Sequence, residues 1–201
     1  MTKQWNHTAL LMTGVFTWAG LAAVSAGAAT PSKAAKSTAK TSTTSTLTDT
    51  QFAKAAAEGG NAEVRLGELA EDRGSNQAVK DLGQRMVNDH TKADGDLQAA
   101  ATKDNVTIPT TQMDARDQAT YVSLSKLSGA EFDRAYARDM VRDHEADIAA
   151  FRREANDGKD ATLKKFASET LPTLEDHLKQ ARQALQTVEP KAAATTKKQA
   201  S

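Results

Sequence analysis

Met86-Val87-Asn88-Asp89-His90 and Met140-Val141-Arg142-Asp143-His144 repeat one phrase, Met-Val-x-Asp-His, in two separate parts of the chain. Outward from the first phrase run Val79, Leu82, Met86, His90, Leu97 and Ala101; outward from the second run Phe132, Tyr136, Met140, His144, Ile148 and Phe151. Steps of three and four are the period of one face of an α-helix. Each phrase therefore sets a histidine on a mainly apolar helix face. Two further segments carry such a stripe: Phe52, Ala56, Gly59, Glu63, Leu66 and Ala70 before the first phrase, and Leu163, Phe166, Thr170, Leu174, His177, Ala181 and Leu185 after the second.

The breaks between stripes decide how they pair. Arg73-Gly74-Ser75 ends the first helix, with Ser75 available to cap the next, and Asn156-Asp157-Gly158 ends the third, with Asp160 opening the fourth. Ser128 with Glu131 three residues on reads as a capping box for the third. Short breaks make antiparallel neighbours. Asn105, Pro109 and several threonines mark an irregular stretch from Asp104 to about Thr111, and Asp114 to Lys126 is expected to form a short helix. Pro172 should bend the fourth long helix, where it removes a ladder bond. The expected fold is all-α: an antiparallel four-helix bundle with a longer crossover and a short helix between helices two and three. Because the repeated phrase lies in helix two of one hairpin and helix three of the other, it does not mark a duplicated hairpin. It marks a requirement shared by two neighbouring helices, or chance among helix formers.

The ends of the 201-residue chain are different. Lys3, an apolar run from about Ala9 to Val24 and the small residues Ser25-Ala26-Gly27-Ala28 follow the order of a secretory signal peptide, residues 1–26, with cleavage after Ala26 or Ala28. Its apolar core is broken by Thr13, Gly14, Thr17 and Gly20 and falls short of the ~20 residues a spanning helix needs, so no transmembrane segment is expected in the mature chain. Residues 27–48, rich in Ser, Thr, Ala and Lys, read as a disordered linker, and residues 188–201 as a disordered basic tail around a bundle domain at 49–187. The chain has 26 acidic and 26 basic residues. Seven of the basic ones (Lys3, Lys33, Lys36, Lys40, Lys191, Lys197 and Lys198) but only one acidic one, Glu189, lie outside 49–187, so the bundle is net negative beneath a neutral total. An acidic domain sparse in aromatics excludes nucleic-acid binding. The basic tails allow weak contact with an anionic envelope surface. The absence of cysteine excludes disulfides, thiolate catalysis, iron–sulfur clusters and cysteine zinc sites. The sequence leaves the oligomeric state open.

Glu63, His90, His144 and His177 come one from each long helix, the way bundle metal sites are assembled. Imidazole suits Zn, Cu or Fe, and a carboxylate completes many such sites. Asp94, one turn beyond His90, and Asp147, three residues beyond His144, are possible auxiliaries. A carboxylate facing a bundle interior is expensive unless paired, which makes Glu63 the most informative of these. Two expectations weigh against one compact centre. Glu63 lies about 11 residues before Gly74 and His90 about 16 after it, an axial mismatch of ~7–8 Å at ~1.5 Å per residue, and His144 and His177 are offset similarly. His177 is also placed at the edge of its stripe. The Glu-x-x-His pairs of dinuclear iron bundles are missing; the histidines follow Asp89, Asp143 and Asp176, adjacent residues that do not share a helix face. The same side chains also suit a purely structural network, with the histidines bonded to Glu63, Tyr136, Asp94 or Thr170. Asp133 reads as a first-turn residue favoured by the helix dipole.

Asn61-Ala62-Glu63 with Leu66-Gly67 and Leu69-Ala70, Met86-Val87 with Asp89-His90, Phe132-Asp133 with Tyr136, His144, and Leu171-Pro172 followed by His177 recur in this order in a known family. On these residues, from Asp49 to about Leu185, the chain resembles exported bacterial proteins with a ferritin-like domain of unknown function, often labelled predicted outer membrane proteins. The resemblance implies a ferritin-like fold and a periplasmic or envelope location, and no activity. The chain has no barrel-like alternating strands. Three readings follow: an exported bundle that binds a transition metal in an envelope or stress-related role, a structural or protein-interaction bundle without metal, and a metal-dependent oxidoreductase.

Overall fold

The computed structural model describes residues 48–189; the expected signal peptide, the linker up to residue 47 and the tail from residue 190 lie outside the described residues. The chain forms α1 (Asp49–Arg73), α2 (Gln77–Lys103), the short α3 (Ala115–Leu124), α4 (Gly129–Asp157) and α5 (Ala161–Val188). α1 packs on α2 and α4 on α5 as two hairpins, and the hairpins join through α2 against α5 and α1 against α4. The arrangement is a ferritin-like antiparallel four-helix bundle. No described helix is long and apolar enough to cross a membrane.

Two carboxylates tie the ends of the bundle and fix its directions. At one end Asp49, opening α1, accepts from the backbone N–H groups of Lys159 (2.9 Å) and Asp160 (2.5 Å) in the α4–α5 turn. At the other, Asp133 in the first turn of α4 accepts from Ser75 N (2.9 Å), Ser75 Oγ (2.5 Å) and Asn76 N (3.0 Å) in the α1–α2 turn. Asp133 is thus more than a dipole-favoured first-turn residue: it is buried and satisfies donors that the turn exposes. Ser75, spent on Asp133, does not cap α2; Asn76 does, through Ala78 N at 2.9 Å. The capping box expected at Ser128 is absent, since Ser128 makes no side-chain cap bond and Gly129 follows with φ +58°. Where a capping box does form is Thr48 with Gln51, at the start of α1.

From these ties, α1 and α5 run one way and α2 and α4 the other. Residues 104–128 must therefore return along the length of the bundle, which is why the crossover is long and holds α3. The two helices with the repeated phrase are parallel and diagonally opposed rather than adjacent, so one phrase is presented twice in one register. α1 and α2 approach backbone to backbone at Gly67 and Gly83: a Cβ at Gly67 would sit 2.6 Å from Gly83 O, and one at Gly83 2.7 Å from Gly67 O. α5 continues as one helix through Pro172.

Every stripe residue of α2 and α4 is buried, and the core falls into two apolar halves. One gathers Phe52, Leu97, Ile148, Phe151, Leu163, Phe166 and Leu174 towards the α4–α5 turn. The other gathers Leu66, Val79, Leu82, Met86, Phe132, Tyr136 and Met140 towards the α1–α2 turn. Between them lies a polar belt.

Candidate metal centre in the polar belt

Glu63, His90, His144 and His177 meet in this belt, each at most 6% exposed. Glu63 Oε2 lies 2.8 Å from His90 Nε2, and Glu63 Oε1 lies 3.3 Å from His144 Nδ1. His144 Nε2 lies 3.2 Å from His177 Nδ1. One ring nitrogen from each of His90, His144 and His177 falls within 4.8 Å of the other two, an arrangement that can coordinate a metal ion. The expectation that axial offset keeps the four apart is thereby corrected. Helical side chains lean towards their own N-terminus. Glu63 and His144 thus lean away from the turns that close their hairpins, while His90 and His177, farther along, lean back, and each pair converges. His177, expected at a stripe edge, is fully buried.

The partners around the histidines determine where the protons sit. His144 Nδ1 is 3.0 Å from the Met140 carbonyl, which only accepts, so the His144 proton is on Nδ1 and its Nε2 holds a lone pair. His177 Nε2 is 2.9 Å from Asp89 Oδ2. Burial alone would raise the Asp89 carboxyl, but hydrogen bonds from Arg85 and His177, with their charges, outweigh it and hold Asp89 below its usual range. An ionised Asp89 also only accepts. Burial lowers all three imidazoles to about 4, against which the neighbouring carboxylates pull upward, so they are neutral at neutral pH. With one proton each, either His177 Nδ1 sets its lone pair against that of His144 Nε2, or His177 Nε2 sets its lone pair against Asp89.

His90 and Glu63 are further short of partners. Their 2.8 Å separation is right for a hydrogen bond but the approach is off-axis, and among the described residues both His90 Nε2 and Glu63 Oε1 lack a hydrogen-bond partner. Burial, reinforced by Asp143, Asp117 and Asp94 against the opposing pull of His144, raises the Glu63 carboxyl to about 8.

The other expected partners divide. The Tyr136 ring stacks on Phe132 with centroids 5.6 Å apart, and its buried hydroxyl has no protein partner. Thr170 Oγ1 bonds the Phe166 carbonyl at 2.9 Å. Asp94 belongs to neither ligand cluster; it sits against Gly60, where a Cβ would push its carboxylate aside. Asp147 joins Glu63 and Asp143, with one oxygen of each within 4.8 Å of the others. Asp89 and Asp143, next to their histidines, leave the histidine face of their own helices. Each instead serves a neighbouring helix, Asp89 meeting His177 on α5 and Asp143 approaching Glu63 on α1. The signal was the repeat itself, which keeps the aspartate as well as the histidine.

Fold and site together define a ferritin-like helical bundle with a buried histidine–carboxylate centre. The chain belongs to the DUF4142 family, a domain of unknown function, which it matches over residues 31–184. Neither the curated proteins nor the solved structures contain a match.

Proposed function

We propose that this is an exported protein of the periplasm or cell envelope that binds a transition-metal ion through His90, His144 and His177, with Glu63 at the same centre. One observation carries the reading: His144 Nε2 and His177 Nδ1 face each other at 3.2 Å while their other nitrogens meet acceptors, the Met140 carbonyl and Asp89. A cation between the facing nitrogens satisfies both contacts at once. A proton there satisfies one contact and leaves the His177 Nε2 lone pair against Asp89, unless the imidazole is charged, which burial opposes. Tetrahedral sites with metal–nitrogen bonds of ~2.0–2.1 Å hold their nitrogens roughly 3.3 Å apart. Acceptors behind metal-bound histidines fix the tautomer and strengthen the ligand, and here they are in place. Neutral imidazoles are the form that binds metal. The donor set fits Zn, Cu or Fe.

The test is elemental analysis of the purified exported protein, before and after exposure to Zn, Cu and Fe and gel filtration. The expected result is about one Zn, Cu or Fe ion per chain, and its loss when Glu63→Gln and His144→Asn are combined. A metal-free native protein, or a double variant that keeps its metal, overturns the reading and leaves a structural network. Iron or copper, but not zinc, would bring the oxidoreductase reading forward. Export is checked by N-terminal sequencing of the envelope fraction, which should begin after Ala26 or Ala28.

A further inference from the structure

The repeated phrase gives the belt an approximate two-fold arrangement, and the two halves of that arrangement are chemically unequal. α2 and α4 are parallel and diagonal; each supplies a histidine to the belt and, just before it, an aspartate to a neighbouring helix. Asp89 of α2 meets an imidazole, His177. Asp143 of α4 meets a carboxylate, Glu63, and Asp147 joins them one turn on. The first meeting pairs a donor with an acceptor. The second brings three carboxyls together, each held above its usual range by burial.

Among the described residues, no lysine or arginine forms an ion pair with Glu63, Asp143 or Asp147, while Arg116 and Arg142 act on Asp143 only from farther away. Glu63 is 1% exposed and its Oε1 has no hydrogen-bond partner. His90 Nε2, buried and 2.8 Å from the other Glu63 oxygen, has none either. A cavity of about 20 Å³ opens beside Glu63 and Asp147 without reaching Asp143; Asp94 and His90 also line it, and most of the remaining wall is apolar. That is room for about one water-sized occupant. Three carboxylate oxygens within 4.8 Å of one another fit a hard cation: with metal–oxygen bonds of ~2.0–2.6 Å, opposite ligands lie roughly 4–5 Å apart.

We propose that Glu63, Asp143 and Asp147 form a second cation position beside the histidine site, one that takes a hard divalent cation of the Mn²⁺ or Mg²⁺ kind, with Glu63 shared between the two positions. The histidine set favours borderline metals and the oxygen set hard ones, so the belt holds two different ions rather than a matched pair. This position adds to the proposed histidine site and is tested separately from it.

The experiment uses the purified, metal-stripped protein, loaded with Zn²⁺ and then titrated with Mn²⁺, the free Mn²⁺ being read by its electron paramagnetic resonance signal. The native protein should take up Mn²⁺ on top of Zn²⁺. The Asp143→Asn/Asp147→Asn variant should keep its zinc, which with its helical circular dichroism shows that the belt is folded, and should bind Mn²⁺ at least ~10-fold more weakly, as loss of two charged ligands requires. Absence of Mn²⁺ uptake by the zinc-loaded native protein overturns the proposal, and so does equal uptake by the variant. Mn²⁺ uptake sensitive to Asp143→Asn/Asp147→Asn in a protein that takes no Zn²⁺ would support this position while removing the histidine site.

Discussion

In the apolar half around Leu82, Phe132 and Met140, burial is its own stabilisation: side chains leave water and meet one another, as Phe132 does with Tyr136. In the belt one turn away, burial works the other way. Glu63, His90 and His144 are as inaccessible as that core, yet two of their polar atoms lack partners and the contact between His144 and His177 strands a lone pair on one side or the other. The halves hold the helices together, and the belt offsets part of that stability with buried polar atoms left unpaired among the described residues. Regions buried to the same degree therefore answer to different physics, and substitution should separate them.

The largest effect on folding belongs to the apolar half. Phe132→Ala is expected to cost about 3–5 kcal/mol in urea unfolding, the range for a fully buried aromatic. Added metal should not repair the lost packing itself. An equal loss from His90→Ala in the metal-free protein would erase the distinction between the regions. Next comes the seam between the hairpins. Asp133→Ala leaves Ser75 N and Asn76 N without their acceptor and is expected to cost about 1–3 kcal/mol, with metal stoichiometry unchanged because the belt lies turns away. Thermal unfolding alongside metal analysis checks both parts.

The smallest effect concerns pH. Glu154, near the α4–α5 turn, has its carboxyl raised from 4.5 to about 7, first by burial and then by Asp49 and Asp160, with Lys164 opposing. A carboxyl raised on folding stabilises most below its unfolded value and loses that contribution as the pH climbs through its folded one. Native protein should therefore lose stability relative to Glu154→Gln between pH 4.5 and 7. A difference between the two that does not change across this range would show that Glu154 is not held protonated.

Much of this architecture is readable from residue spacing. The stripes on α2 and α4 identify buried faces because apolar residues at helical period have one way to leave water. The short breaks give the hairpins, and Asn105 and Pro109 mark the crossover. The belt was harder to read for two reasons. Counting residues from a turn locates Cα atoms, whereas Glu63 and His90 meet through side chains that lean in opposite directions along antiparallel helices. Asp89 and Asp143 leave the inward face of their own helices, yet each acts on the next one. Ser75 and Ser128 show the same limit at the helix ends: a capping residue by type is overridden when a tertiary partner such as Asp133 claims it, or when Gly129 turns the backbone aside.

The central claim is that the facing nitrogens of His144 and His177 are metal ligands. Nitrogen-15 histidine spectra of the native protein, recorded as one metal such as Zn²⁺ is added, test it most directly. The account predicts that His144 keeps its proton on Nδ1 and His177 on Nε2, while His144 Nε2 and His177 Nδ1 both move to metal-bound shifts. Spectra that stay unchanged on adding Zn²⁺, Cu⁺ or Fe²⁺ in turn would contradict it.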